Sequence, residues 1–394
     1  MAEKNLDFDR IIDRRNTGCL KYDFESNKEI PEDALPLWVA DMDFQVSSYI
    51  QEALKAQAEH GIYGYNDTGS GYFDALWSWF KKHHDFEIDP GWLVKTPGVV
   101  FALSMAVRAF TNVGDSVLIQ QPVYYPFSGV VTNNKRVVVS NTLVCDQEGN
   151  YHMDLEDFEE KIIRNHIKLF LLCNPHNPVG RVWSKEELAA VGDICLRHHV
   201  AVVSDEIHAD FVYQGKHHVF AGVKEAYKDI SVVCTAPSKT FNIAGLQVSN
   251  ILIPSPALRH PFKKQIEAAG YSQLNAAGIA ACQAAYGHGE EWYQGALKYI
   301  EGNLDYMKEY IDAHIPEIRM NKPEGTYLAW LDFRELGLTN NQLEELVVKK
   351  AGLWLDAGAM FGDAGEGFQR VNAACPRKIL EQALKRLEDA VKGL

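Results

Sequence analysis

From Trp92 onward, short apolar runs rich in β-branched residues alternate with stretches of helical spacing. The pattern predicts strands near Trp92–Thr96, Ser116–Gln120, Arg136–Ser140, Lys168–Cys173, Val200–Ser204, Ile230–Thr235 and Asn250–Ile253. Helical spacing fills several of the intervals, beginning with the apolar stretch Val99–Phe110. A capping box, Ser184-x-x-Glu187, opens another helix ahead of Leu188, Val191 and Ile194. A regular strand–helix alternation predicts an α/β fold with a mostly parallel, doubly wound sheet.

The flanks read differently. Residues 1–45 have few periodic stretches, whereas Val46–His60 and Tyr72–His84 have helical spacing. Gly287-His288-Gly289 interrupts the pattern, and a long helix, Glu290–His314, follows. Thr326–Phe333 reads as a strand and Arg377–Val391 as an amphipathic helix. A chain of 394 residues is too long for a single core. The expected division is a large domain over 46–289 and a smaller α/β domain built from 1–45 and 290–394.

Charge and composition exclude several classes of partner. Lys plus Arg number 39 and Asp plus Glu 53, so 39 − 53 gives a net charge of −14, without a basic run to bind nucleic acid. No apolar run is long enough to span a bilayer, and Met1–Arg10 lacks an apolar signal core. The seven cysteines are scattered with no Cys-x-x-Cys pair, which argues against a zinc site and a disulfide framework. The expectation is a soluble cytoplasmic protein with no nucleic-acid, membrane or metal partner.

In open α/β sheets ligands sit beyond the carboxyl ends of the strands, so the residues after each strand matter most. Gly98 and Val99 follow the first strand at a helix N-terminus, where free N–H groups can take a phosphate; an ordinary strand-to-helix turn looks the same. Tyr124 and Tyr125 follow the second, as a wall for a flat ligand or as core aromatics. Asn177 lies in the rigid run Asn174-Pro175-His176-Asn177-Pro178-Val179-Gly180, which suits an aimed amide and equally a plain turn. Asp205 ends a buried run and needs a partner, for which an arginine or a helix N-terminus would serve. Lys239 comes almost directly after Ile230–Thr235, where burial would leave more of it as the nucleophilic free amine; most lysines in loops are simply solvated. Together, a phosphate cradle, an aromatic wall, an amide, a carboxylate and a lysine are what pyridoxal 5′-phosphate (PLP) requires.

At these residues the sequence resembles a known family. Ser238-Lys239-Thr240-Phe241-Asn242-Ile243-Ala244-Gly245-Leu246, with Asn177-Pro178-Val179-Gly180 and Asp205-Glu206-Ile207-His208, is similar to the class I/II aminotransferase superfamily, PLP fold type I. Ile12-Asp13-Arg14-Arg15, Trp38-Val39-Ala40-Asp41-Met42-Asp43-Phe44 and Tyr63-Gly64-Tyr65 resemble its cystathionine β-lyase branch, as do Pro323-Glu324-Gly325-Thr326-Tyr327 and the run from Phe368 to Arg377. The resemblance implies Lys239 as Schiff-base lysine and general base, Asp205 as partner of the pyridinium nitrogen, and Asn177 and His208 near the cofactor's phenolic oxygen. It implies Tyr124 stacked on the ring, with Gly98, Val99 and Ser238 around the phosphate. It places Tyr65 at the phosphate of the other subunit of a homodimer, and Arg370 on the substrate α-carboxylate near Ala40 and Tyr125. One position departs from the superfamily: Gln247 stands eight residues after Lys239, where many aminotransferases carry an arginine against the phosphate.

The expected activity is therefore α,β-elimination of cystathionine or related S-substituted cysteines by a PLP-dependent carbon–sulfur lyase, with a small amino acid as substrate. An aminotransferase shares every step up to loss of the Cα proton and is the alternative enzyme. A PLP-binding regulatory protein without turnover is the alternative of another class, and the chain lacks the basic DNA-binding segment it would use.

Overall fold

The structure, a computed structural model, describes residues 6–24 and 30–394. Its centre is a seven-stranded sheet. Taken across the sheet, the order is Leu93–Thr96, Ser249–Leu252, Ser231–Thr235, Ala201–Asp205, Leu169–Cys173, Ser116–Ile119 and Val137–Ser140. Ser249–Leu252 pairs antiparallel with both its neighbours, and all other pairings are parallel. The three strands at the middle, Leu169–Cys173, Ala201–Asp205 and Ser231–Thr235, are buried at every residue.

Burial on both faces explains their continuous apolar composition. Alternate side chains feed two separate cores. Leu169, Leu171, Val203, Val232 and Cys234 pack on one face, with the helix Val99–Phe110 and with Phe262 and Ile266 of Pro256–Ala268. Leu118, Phe170, Leu172 and Val202 pack on the other, with Leu188, Val191 and Ile194 of the helix Lys185–Arg197. The predicted capping box is present: Ser184 Oγ accepts from the Glu187 N–H, and the Glu187 carboxylate from the Ser184 N–H. The strands match the sequence reading to within one residue at each end, with one consequence: Asp205 is the last residue of its strand instead of the first after it.

A second, four-stranded antiparallel sheet has the order Arg319–Met320, Leu328–Asp332, Phe368–Asn372, Asp356–Ala357. The helices Glu290–His314 and Arg377–Lys392 pack together beside it through Ile300, Leu304, Met307, Leu380, Leu384 and Leu387. The first part of the chain joins this layer. Leu35–Pro36 pairs in parallel with Leu353–Trp354, and the Trp38 and Trp354 rings stack 4.5 Å apart. Among the described residues no helix is long and apolar enough to cross a membrane.

Candidate active site

The central strands end level with one another because backbone bonds tie their exits together. The Asn174 N–H donates to the Asp205 carbonyl at 2.9 Å, and the Glu206 N–H to the Cys234 carbonyl at 2.9 Å. Beyond these ends lies a cavity of about 200 Å³, lined by Gly98, Val99, Tyr124, Asn177, Asp205, His208, Ser238, Lys239 and Gln247, with Ala40 from the start of the chain. Ten of the thirteen residues singled out in the sequence for the site or its missing cation thus meet at one cavity.

Lys239 reaches the cavity from a short helical turn, Pro237–Thr240, opened by Pro237 at its first position. The sequence reading had this stretch as an irregular break; proline's fixed φ suits a first helical turn as well as a loop. The Lys239 ammonium donates to the Ala40 carbonyl at 2.6 Å. Burial, reinforced by the nearby Arg370 charge, lowers its pKa to about 8 against the pull of Asp41 and Asp205. Asp205 is 4% exposed and accepts a hydrogen bond from the Ile207 N–H at 3.2 Å. Burial pushes its carboxyl up to about 7, despite that N–H and the Lys239 charge. The partner anticipated for this carboxylate, an arginine or a helix N-terminus, is thus a single N–H of its own loop. His208 is buried with its Nδ1 unpartnered, and burial beside Lys239 and Arg370 keeps its imidazole neutral.

Arg370, on one of the two inner strands of the second sheet, approaches the cavity through Asn177 and is 2% exposed. Its Nη1 donates to Asn177 Oδ1 at 3.0 Å, and its Nη2 to the Trp38 carbonyl at 2.8 Å and to Asp356. Its Nε–H is buried without a partner. The guanidinium lies 5.0 Å from the Phe361 ring centre. Tyr125 packs against the same ring and against Tyr124, with centroids 5.9 and 5.2 Å away.

The segment Trp38–Phe44 bridges the two sides. Asn372 Nδ2 donates to the Val39 and Asp41 carbonyls, both at 2.6 Å. Asn242, three residues past Lys239, accepts from the Met42 N–H and donates to the Met42 and Phe44 carbonyls, each at 2.9 Å. Tyr327 shares the Ala40 carbonyl with Lys239, its hydroxyl donating at 2.9 Å. Arg14 and Lys21 hold Asp41 and Asp43 in a four-charge cluster beneath the segment. Asp356, Tyr327, Asn242 and Asn372 were missed as site residues in the sequence. Asp356 had one signal, a single acidic residue in the apolar run Leu353–Ala359.

One expected residue stands apart. Tyr65 is 95% exposed on a loop where Ile62 and Tyr63 are also exposed, so within one chain it touches none of the pocket. Gln247 lines the cavity rim in left-handed conformation (φ 52°) and brings no charge.

The donor set suits a planar cationic heterocycle carrying a phosphate. Asp205 waits at the floor with one weak partner, Tyr124 offers a ring face, and Asn177 keeps its amide N–H groups for a ligand oxygen. The N-terminal N–H groups of Val99–Phe110 face the cavity beside Ser238, and nothing lies within 4 Å of where a Cβ on Gly98 would stand. PLP fits these residues.

A model of the family described as aminotransferase class I and II matches residues 33–387. The chain belongs to that family. Among curated relatives, this family member is similar to the cystathionine β-lyase PatB of Bacillus subtilis, with 43% identity over 98% of this chain and all of PatB. The protein MalY of Escherichia coli is 32% identical over 99% of this chain and all of its own. Among solved structures, cystalysin from Treponema denticola, which contains a pyridoxal 5′-phosphate cofactor, superposes with a TM-score of 0.95 at 38% identity, covering 98% of this chain and 99% of cystalysin. The PLP-bound C–S lyase from Staphylococcus hominis gives 0.90 at 34% identity over 98% of each chain.

Proposed function

We propose that this chain is a PLP-dependent carbon–sulfur β-lyase that cleaves cystathionine, or a related S-substituted cysteine, to a thiol, pyruvate and ammonia. The observation that carries the reading is a lysine shifted toward its free amine and a carboxyl shifted toward neutrality at one cavity, with a buried arginine bonded to Asn177 of its lining. Paired groups whose environments move them toward mid-range pKa values are what acid–base chemistry at neutral pH requires. The similarity to PatB and to the C–S lyases supports the choice of reaction within the family.

When bound, the cofactor supplies an electron sink for the pair left behind as the Cα proton departs. Lys239 would hold the cofactor covalently, and Asp205 would face its pyridinium nitrogen, which would offset the cost of burying the carboxylate. Asn177 Nδ2 and neutral His208 would serve its phenolic oxygen, and Tyr124 would cover its ring. Val99 and Ser238 would take the phosphate, with Gly98 leaving room for it. Arg370 binds the substrate α-carboxylate between Tyr125 and Ala40, a forked task that lysine performs poorly. The Lys239 amine would take the Cα proton, a transfer efficient near its pKa of about 8. The β-carbon–sulfur bond breaks, sulfur leaves as thiolate and is protonated, and water converts the three-carbon remainder to pyruvate and ammonia. Gln247 leaves the phosphate grip one cation poorer than in many aminotransferases. A lyase, for which Lys239 would itself retain the cofactor between turnovers, tolerates this.

Three coarser features go with this reading: a large unit over 46–289 and a small one from 1–45 and 290–394, a cytoplasmic location, and a homodimer in which Tyr65 reaches the neighbour's phosphate. The exposed cluster of Ile62, Tyr63 and Tyr65 supports the last. The test of the reaction is to supply L-cystathionine and measure pyruvate and free thiol beside keto-acid-dependent transamination. Equal yields of pyruvate and thiol are expected; efficient transamination with negligible thiol release overturns the lyase assignment.

A further inference from the structure

Beneath the cavity lies a second buried acid that the chemistry above does not use. Asp210 ends the loop that starts at Asp205, and its side chain is 8% exposed. Its Oδ1 accepts from Trp79 Nε1 at 2.9 Å and pairs with His84 Nε2 at 3.0 Å, both from the helix Ser70–His84. Its Oδ2 accepts from the Thr240 hydroxyl at 2.5 Å. Its backbone carbonyl accepts from the Tyr293 hydroxyl at 2.6 Å. Burial works against the charge, yet His84, Thr240 and Trp79 hold the carboxyl below its ordinary range.

Thr240 is the residue after Lys239, on the same four-residue turn, and is itself 1% exposed. A turn this short has little helical hydrogen bonding of its own. What fixes it must come from outside, and the Thr240–Asp210 bond is a direct tie. The same six-residue stretch thus carries Asp205 at one end and, at the other, the group that grips the lysine turn. A lysine side chain has four rotatable bonds, so the placement of its Cα decides where its amine returns after each release.

We propose that Asp210, acting through Thr240, is a positioning residue that sets the reach of the Lys239 amine. This rests on the reading of Lys239 as the cofactor-bound lysine. Neither residue touches the cavity, so the effect runs through the backbone of the turn. The charged and titratable groups facing Asp210 are His84 from its own pair, Tyr286 and Tyr293 from the two helices packed above, and His217, whose ring lies 5.3 Å from that of His84.

The test compares holoenzyme variants T240V, T240S and D210N. T240V keeps the shape and removes the donor, so kcat falls about tenfold to a hundredfold, the cost of roughly an ångström of misplacement at a reacting group. KM, set at Arg370, stays within about threefold. The pH midpoint of the bound cofactor's visible absorbance band moves by about half a unit, because displacement of the Lys239–cofactor bond changes its proton affinity. A merely structural loss does not move that midpoint. T240S restores the donor and returns both readouts to within about twofold of the parent. D210N shifts them in the same direction as T240V; should D210N not fold, the Thr240 pair decides. T240V with a parental kcat and an unmoved midpoint overturns the proposal. Borohydride fixation and peptide mapping of the parent enzyme separate the two readings: an adduct away from Lys239 removes the lysine assignment, whereas an adduct on Lys239 with a silent T240V removes only the role of Asp210.

Discussion

The two sides of the pocket handle buried charge in opposite ways. On the side we assign to the cofactor, Asp205 has one N–H partner, Lys239 one carbonyl, and His208 leaves Nδ1 unmatched. Each is pushed toward its uncharged form because burial is scarcely compensated. On the substrate side, Arg370 meets Asn177, Trp38 and Asp356. Partly paired groups await a ligand that completes them, while paired ones are already aimed. The cofactor side is therefore built to gain stability on loading, and the substrate side to lose little freedom on binding.

The sharpest way to break the contrast is Lys239→Ala. Removal of both the covalent tether and the base lowers turnover by about ten-thousandfold, the upper range for a general base, and steady-state pyruvate release with cystathionine measures it. Asp205→Asn comes next. A charge pair at about 4 Å in an effective dielectric of about 20 is worth roughly 4 kcal/mol, so turnover slows by about a hundredfold or more. The same variant has a second signature. The carboxyl is raised from 3.8 to about 7 in the folded apoprotein, so its neutral form contributes stability that is complete below about pH 4 and lost as pH rises through 7. The loss is bounded by about 4 kcal/mol from a shift of some three units. Urea unfolding of the apoprotein between pH 4 and 8 shows this slope in the parent and a flatter one in Asp205→Asn.

On the substrate side, Arg370→Lys keeps the charge and loses the fork. kcat/KM falls by roughly 1–3 kcal/mol, the range for a charged hydrogen bond, while the cofactor's absorbance spectrum is unchanged. A spectrum that changes with this variant would erase the division between the sides. Smallest is Arg14→Met. Asp43 keeps Lys21, and the lost pairs are partly exposed, so KM rises by no more than about fivefold, or 1 kcal/mol.

The contrast also marks what the sequence could tell. Lys239, Asp205, Asn177, Tyr124 and Gly98 each follow or end a buried strand, so a rule about strand ends finds them without any knowledge of pairing. The substrate side obeys no local rule. Arg370 sits inside a strand, Phe368–Asn372, that periodicity did not reveal, and it was reached only through family resemblance. Asp356, Asn372 and Tyr327 matter because of partners far along the chain, which no short pattern records. Asn242 lay in plain view beside Lys239, but its bonds run to Met42 and Phe44, two hundred residues away. Short turns defeated the reading for a different reason: Pro237 opens a helical turn or a loop equally well.

Those distances have a consequence during synthesis. Trp38–Phe44 is made early, yet it is held by Asn242, 200 residues later than Met42, and by Asn372, over 330 residues later than Val39 and Asp41. At roughly 5–20 residues per second, the ribosome takes on the order of tens of seconds to a minute to deliver the second clamp. Until Asn242 is made, Trp38, Met42 and Phe44, all buried in the finished protein, lack the first of these clamps, and until Asn372 is made they lack the second. The pocket's far wall is thus among the first parts translated and the last to be secured, and a nascent chain stalled before Asn372 presents that apolar stretch to chaperones.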